Sequence, residues 1–255
     1  MNILVLQHIK IEDPGYIKDL MITDGAQLTT IELDEGEKIP NDLSDEEAVP
    51  LMCAGATITS GLGAVNFTEC DFVVIQGCGA LGLYACAFSK EMGAKNVIAI
   101  DIDEDRLALS KEFGADFLIN SNLEKDITTE IKRITEERGA DYVIEVTGTP
   151  KVISDGIKFL RIGGTYILLG AIYPDSNLTI DSSDIITKCL NISGMHNYDP
   201  IYLKQAIELV QKYKNKYPFR KIAEPIFDFT KEGLEDAFNS LNSKKSLRPA
   251  IRPSL

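Results

Sequence analysis

The chain has 255 residues, 44% of them hydrophobic, enough for one large or two small domains with a sizeable buried core. Twenty-six basic against 39 acidic side chains give a formal net charge of −13, which argues against nucleic acid or an anionic membrane surface as partner. Met1 is followed at once by the apolar run Ile3-Leu4-Val5-Leu6, with no basic region or small-residue cleavage site, and no apolar stretch approaches membrane-spanning length, so a cytoplasmic protein is expected.

MNILVLQ, PGYIKDLMITDG and AQLTTIEL read in turn as strand, helix and strand, with Pro14 suiting the helix start and Gly25 its stop. Glu12-x-Pro14-Gly15 followed by EGEKIPNDL resembles the opening of a class I glutamine amidotransferase domain, from Met1 to about Leu43. That family works through a cysteine in a G-x-C-x-G elbow, activated by a later His-x-Glu. Here Gly77-Cys78-Gly79 is flanked by Gln76 and Ala80, LMCAG around Cys53 has Leu51 in place of the first glycine, and no His-x-Glu is present downstream. No glutaminase activity is expected. A βαβ fragment of this size cannot bury both faces alone, so it must pack on the rest of the chain, pair with a partner or stay loosely ordered. The change near Asn41 to Ser44 reads as a junction of two unrelated pieces, giving segments 1–43, 44–216 and 217–255.

SDEEAVP reads as a capped helix start, with Ser44 and Glu47 forming a capping box. From Asp71 onward, short β-rich runs alternate with stretches of helical periodicity. DFVVIQ (Asp71 to Gln76), NVIAID (Asn96 to Asp101), DFLI (Asp116 to Ile119), DYVIEV (Asp141 to Val146), TYILLG (Thr165 to Gly170) and LNISG (Leu190 to Gly194) make six strands. The expected fold is α/β, a doubly wound six-stranded parallel sheet of Rossmann type whose ligand crevice lies at the carboxyl ends of the strands.

Gly77, Gly79 and Gly82 form G-x-G-x-x-G directly after the first of these strands. The first glycine permits the tight turn, the second lets backbone approach a pyrophosphate, and the third lets the helix close on the strand. Asp101 ends the next strand, 19 residues after Gly82, where a carboxylate can accept bonds from the adenosine ribose; the alternative is a solvated loop acid. A carboxylate there repels a 2′-phosphate and favours NAD over NADP, although Arg106 stands close enough to pair with such a phosphate instead. Asp103, Glu104 and Asp105 read as the dipole-favourable first turn of the next helix, without function. S-adenosylmethionine enzymes use a similar glycine turn and acid, so the fold alone does not choose the cofactor.

LSDEEAVPLMCAGATITSGL, QGCGALG, AIDIDEDR, EVTGTP and GGTYILLGAIYP, in this order, resemble the cofactor-binding half of medium-chain, zinc-dependent alcohol dehydrogenases from about Ser44 to the end. SGMHNYDPIYLKQAIELV is most similar to members associated with phosphonate catabolism. The resemblance implies hydride transfer between a small alcohol or aldehyde and nicotinamide. It implies that Gly77, Gly79, Leu81 and Gly82 contact the pyrophosphate, Asp101 the ribose and Arg106 the adenine side. Val146, Thr147, Leu169, Gly170 and Ala171 fall where such enzymes line the nicotinamide, with strand-end packing as the plain alternative for Val146, Leu169 and Ala171. Backbone around Met195 and Asn197 matches the segment that holds the carboxamide, and Arg248 matches an arginine that pairs with the pyrophosphate. A homodimer through the sixth-strand edge is also implied.

The family's catalytic zinc needs three protein ligands and an open position. Cys53 falls where the third ligand of cysteine-type members stands, but the only other candidate upstream is His8, and the four-cysteine structural lobe of many relatives is absent. Cys53 is therefore expected to be an orphaned ligand, a small buried residue, with zinc not held by this chain. The five cysteines, odd in number and without C-x-x-C, suit a reducing compartment and no disulfides are expected. His196 is the one remaining histidine, placed either to touch substrate or cofactor or to lie packed or solvent-facing in its loop. Two readings emerge: an NAD(H)-using oxidoreductase whose catalytic half comes from elsewhere, and a dinucleotide-binding module without catalysis. A methyltransferase and an amidotransferase stand well behind both.

Overall fold

The computed structural model describes residues 2–7, 22–23, 27–32, 43–172, 174 and 176–252. Strands β1 (Asn2–Gln7) and β2 (Gln27–Glu32) pair in parallel, in register from Asn2 against Gln27 to Gln7 against Glu32. Parallel neighbours need a crossover between them. Ile22 and Thr23 are helical within that crossover, while His8, Pro14 and Gly25 lie outside the described residues.

Helix α1 (Asp45–Ala48) starts at the expected capping box: the Glu47 amide donates to Ser44 Oγ at 3.3 Å and the Ser44 amide to Glu47 Oε2 at 2.8 Å. Two of the donors orphaned at a helix start are thereby satisfied. A 3-10 turn over Val49–Met52 leads into α2 (Ala54–Ala64). Then β3 (Cys70–Gln76), α3 (Ala80–Glu91), β4 (Ala94–Asp101), α4 (Glu104–Glu112) and β5 (Phe117–Asn120) form one half of the main sheet. After α5 (Ile127–Ile134) come β6 (Ala140–Glu145), α6 (Lys151–Phe159), β7 (Leu160–Leu168), α7 (Ser182–Thr187) and β8 (Asn191–Gly194), followed by α8 (Pro200–Tyr213).

The six strands lie in the order β5-β4-β3-β6-β7-β8, every neighbouring pair parallel. The chain order therefore reverses between β3 and β6, the place where doubly wound sheets bind ligands. Alternation along each strand explains why the runs are apolar throughout. Val73, Ile75, Val97, Ala99, Ile144 and Ile167 enter one core, and Val74, Ile98, Ile100, Val143 and Tyr166 enter the other, on the opposite face. The fifth expected strand begins earlier than its β-rich run: Leu160 already pairs with Ala140, and a register shift before Tyr142 accommodates the Gly163-Gly164 step.

At the amino ends of the strands, buried Asp141 accepts from the amides of Asp71 (3.0 Å) and Phe72 (2.9 Å), from Arg138 Nη2 (2.9 Å) and from Arg161 Nε (2.6 Å). One carboxylate thus joins the starts of β3, β6 and β7. The chain beyond α8 packs its 3-10 turn, Phe219–Ile222, against α3, with Phe219 stacked on Tyr84 at 5.6 Å and edge-on to Phe113 at 5.7 Å. A parallel pair, β9 (Ile226–Asp228) and β10 (Ala250–Arg252), brackets α9 (Lys231–Asn242), and Arg252 pairs with Glu46 of α1. Among the described residues no helix is long and apolar enough to cross a membrane.

Candidate functional site

The three glycines after β3 meet three different constraints. Gly77 has φ +99°, a conformation that L side chains avoid, and a Cβ there would lie 3.0 Å from Thr147 Cγ2. A Cβ on Gly82 would fall 1.9 Å from the Gly77 carbonyl oxygen, so α3 closes on the strand end at a distance that only glycine allows. A Cβ on Gly79 would meet nothing within 4 Å. Gly79 is also the N-cap of α3 and has no side-chain cap bond. Its open surface therefore fronts the free amides and positive dipole end of a twelve-residue helix, a setting that takes an anion. Leu81, on the first turn of that helix, is half-buried against the core.

Asp101, 8% exposed at the end of β4, faces this turn. Its Oδ2 accepts from the Cys78 amide at 2.6 Å, and its Oδ1 from the amides of Ile102 (2.7 Å) and Asp103 (3.0 Å). The carboxylate fixes the strand end to the glycine turn and, with two lone pairs on each oxygen, keeps acceptor capacity for a ligand. Asp103 caps α4 by accepting from the amides of Asp105 and Arg106, which is the helix-start role expected of it. Arg106 is half-buried on the same helix, and its buried Nε has no hydrogen-bond partner.

Two further loops meet at the carboxyl ends of β6 and β7. They are joined by Glu145, which is fully buried. Its Oε1 accepts from the Thr147 amide and hydroxyl, both at 2.7 Å, and from the Gly148 amide at 2.9 Å; its Oε2 accepts from the amides of Gly170 (3.1 Å) and Ala171 (3.2 Å). Val146, Thr147, Gly170 and Ala171 thus share one small region, with Thr147 exposed. Leu169 is buried and packs on α2, where a Cβ on Gly61 would lie 3.1 Å from its Cδ1, so it takes part in strand-end packing. Met195 is held by its amide to the Leu168 carbonyl at 3.1 Å and by Ser60 Oγ at 2.8 Å from its sulfur. Asn197 is exposed at φ +64°, and His196 beside it is solvent-exposed. Sequence patterning alone does not single out Glu145. The one signal is an acid closing an otherwise apolar buried strand, a position that tolerates a carboxylate only when donors surround it.

Cys53 departs from its expected burial. It is exposed, because it is the N-cap of α2 at the end of the 3-10 turn, and Arg248 Nη2 lies 3.1 Å from its sulfur. Tyr198 donates its hydroxyl to the neighbouring Met52 carbonyl. Arg248 also stands within electrostatic reach of Tyr84 on α3: burial raises the Tyr84 hydroxyl far above its usual range, and the guanidinium partly opposes that.

The family model for "Zinc-binding dehydrogenase" matches residues 80–212, a little over half of the chain. The chain belongs to the zinc-binding dehydrogenase family. It is 30% identical over 229 residues to a probable D-xylulose reductase A of Emericella nidulans, covering 89% of this chain and 62% of that relative. It is 34% identical over 158 residues to an alcohol dehydrogenase of Geobacillus stearothermophilus, covering 62% of this chain and 45% of that one. Among solved structures, a benzyl alcohol dehydrogenase from Acinetobacter calcoaceticus superposes with a TM-score of 0.76 at 28% identity, over 85% of this chain and 59% of that chain. An alcohol dehydrogenase from Thermotoga maritima gives 0.76 at 25% identity, over 83% and 59%. The chain thus spans about half to three fifths of the length of these relatives.

The donor set does not fit the metal in the family's name. Among the described residues no group of three or more His, Cys, Asp or Glu side chains could hold a metal ion, and the one thiol at the expected ligand position faces a guanidinium. A single thiolate beside a fixed cation lacks the three ligands that a catalytic zinc needs. Purified chain, measured by atomic absorption, is expected to carry far less than one zinc per protein; stoichiometric zinc lost in Cys53→Ser would contradict this.

Proposed function

We propose that this chain is the NAD(H)-holding part of a medium-chain dehydrogenase, serving hydride transfer between a small alcohol or aldehyde and nicotinamide. The observation that carries the reading is the Asp101 carboxylate bonded to the glycine turn beside the open N-terminus of α3. In it, backbone at Gly77, Gly79, Leu81 and Gly82 takes the pyrophosphate on the helix dipole, with Arg248 as a second cation source. Asp101 accepts from the adenosine ribose hydroxyls, and the orphaned Arg106 Nε faces the adenine side. Val146, Thr147, Leu169, Gly170 and Ala171 line the nicotinamide, and backbone at Met195 and Asn197 holds its carboxamide. Bound NAD(H) would supply the ring carbon that takes or gives the hydride. The protein's share is to hold that ring and keep water from it.

Asp101 also argues for NAD over NADP, since a 2′-phosphate would enter beside a carboxylate. Asp101→Ala is expected to weaken NADH by about 1–3 kcal/mol, roughly 5- to 150-fold, and to narrow or reverse the preference over NADPH. Parallel titration of both nucleotides into both proteins checks this. An unchanged NADH affinity would remove the ribose assignment.

A second reading, a binding module that is inactive alone or completed by a partner chain, is favoured by the Cys53–Arg248 contact where a metal ligand would stand. The two differ in whether substrate is turned over once a partner is added. We also propose a likeness of 193–210 to phosphonate-associated members, an amidotransferase-like opening, divisions at 43 and 216, and a cytoplasmic location. A homodimer through the β8 edge is proposed on the same footing, since β8 ends the sheet and Ile192 is 37% exposed on it.

A further inference from the structure

Glu145 makes none of the ligand contacts proposed above, yet it is the one fully buried carboxylate at the carboxyl end of the sheet among the described residues. All five groups that reach its oxygens are donors, four of them backbone amides, so the side chain acts purely as an acceptor. Two loops converge on it from neighbouring strands, and they touch closely. A Cβ on Gly170 would lie 2.6 Å from the Gly148 amide nitrogen and 2.9 Å from Glu145 Oε1, so the loops are packed around the carboxylate as tightly as glycine permits. Thr147 in turn lies against Gly77 of the phosphate turn. A buried carboxylate with this many charge-assisted bonds is a stiff anchor, and losing it leaves four part-buried amides without that acceptor.

We propose that Glu145 is a positioning residue for the nicotinamide end of the dinucleotide, holding the 146–148 and 169–171 loops in the spacing that the ring requires. The inference rests on the reading that these loops line nicotinamide. It predicts a division that general destabilisation would not produce. The adenosine, ribose and pyrophosphate of the ligand meet the glycine turn and Asp101, which do not bond Glu145. The loops it holds touch that turn through the Thr147–Gly77 contact, and it is the nicotinamide half that lies along them.

The test compares NADH with ADP-ribose, which has the same adenosine diphosphate ribose but no nicotinamide, on wild-type protein and Glu145→Gln. In Glu145→Gln an amide NH2 must face donors, so NADH affinity is expected to fall about tenfold or more while ADP-ribose affinity stays within about twofold. Amide hydrogen exchange without nucleotide should quicken at Thr147, Gly148, Gly170 and Ala171 and stay unchanged at Cys78. If Glu145→Gln does not fold, Glu145→Asp, which keeps the charge but shortens its reach to the two loops, should show the same division. Equal weakening of both ligands, or of neither, would overturn the assignment. Wild-type protein that binds ADP-ribose and NADH equally would remove the nicotinamide reading and this inference together; wild-type discrimination that survives in Glu145→Gln would remove the inference alone.

Discussion

Gly82→Ala is expected to cost about 2–4 kcal/mol of stability and most of the nucleotide affinity. The new Cβ would fall 1.9 Å from the Gly77 carbonyl oxygen, which is backbone and cannot rotate away. Either the amino end of α3 moves outward or the Gly77 turn flattens, and both spoil the cradle. Gly79→Ala separates packing from ligand approach. Nothing lies within 4 Å of its Cβ and its φ is −74°, so stability should stay within about 1 kcal/mol while NADH weakens about tenfold or more. Urea unfolding and NADH titration on both variants provide the check. Equal stability losses in the two variants, or full NADH affinity in Gly79→Ala, would show that the turn is structural only.

Asp141→Ala is expected to destabilise the fold by about 2–4 kcal/mol without touching the crevice directly. Five donors on four residues lose their acceptor. The two amides at the start of β3 are part-buried, while Arg138 and Arg161 are 41% and 32% exposed and can rehydrate, which keeps the cost below that of a fully buried pair. The carboxylate also sets a pH dependence. Burial by itself would raise its pKa, but the Phe72 amide and the guanidiniums of Arg161 and Arg138 outweigh burial and hold it below the ordinary value. A folded-state pKa below the unfolded one, about 3.9, contributes stability that is present above the unfolded value and is lost as pH falls through the folded one. Wild-type stability should therefore fall below about pH 4, and Asp141→Ala should flatten that part of the profile. An unchanged acid limb in the variant would assign the acid sensitivity to other groups.

The sheet was legible because both of its faces are buried. Runs such as VVIQ and VIAID have no polar alternate, and the glycine turn after the first of them fixes where the phosphate end of a crevice must lie. The edges of that reading failed for physical reasons. The fifth strand is expected from Thr165, yet it runs from Leu160, because Leu160 can pair with Ala140 before a register shift. Cys53 sits among apolar neighbours and reads as buried, but the start of α2 turns it outward to Arg248, a contact across 195 residues of chain that no local pattern announces. Glu145 was invisible for the same reason: its partners lie on two loops, and only the assembled sheet brings them together. The glycine turn and the Asp101 strand end are legible because their spacing is local.

The measurement that bears most directly on nucleotide binding by this chain is titration of NADH into the intact protein, followed by the nucleotide's own fluorescence since the sequence has no Trp. NADPH is titrated in parallel and zinc is measured on the same sample. Saturable NADH binding, with NADPH about tenfold weaker or more and zinc well below one per chain, is the predicted result. Failure of folded protein to bind either nucleotide would contradict it and leave the glycine turn and Asp101 as elements of the fold alone.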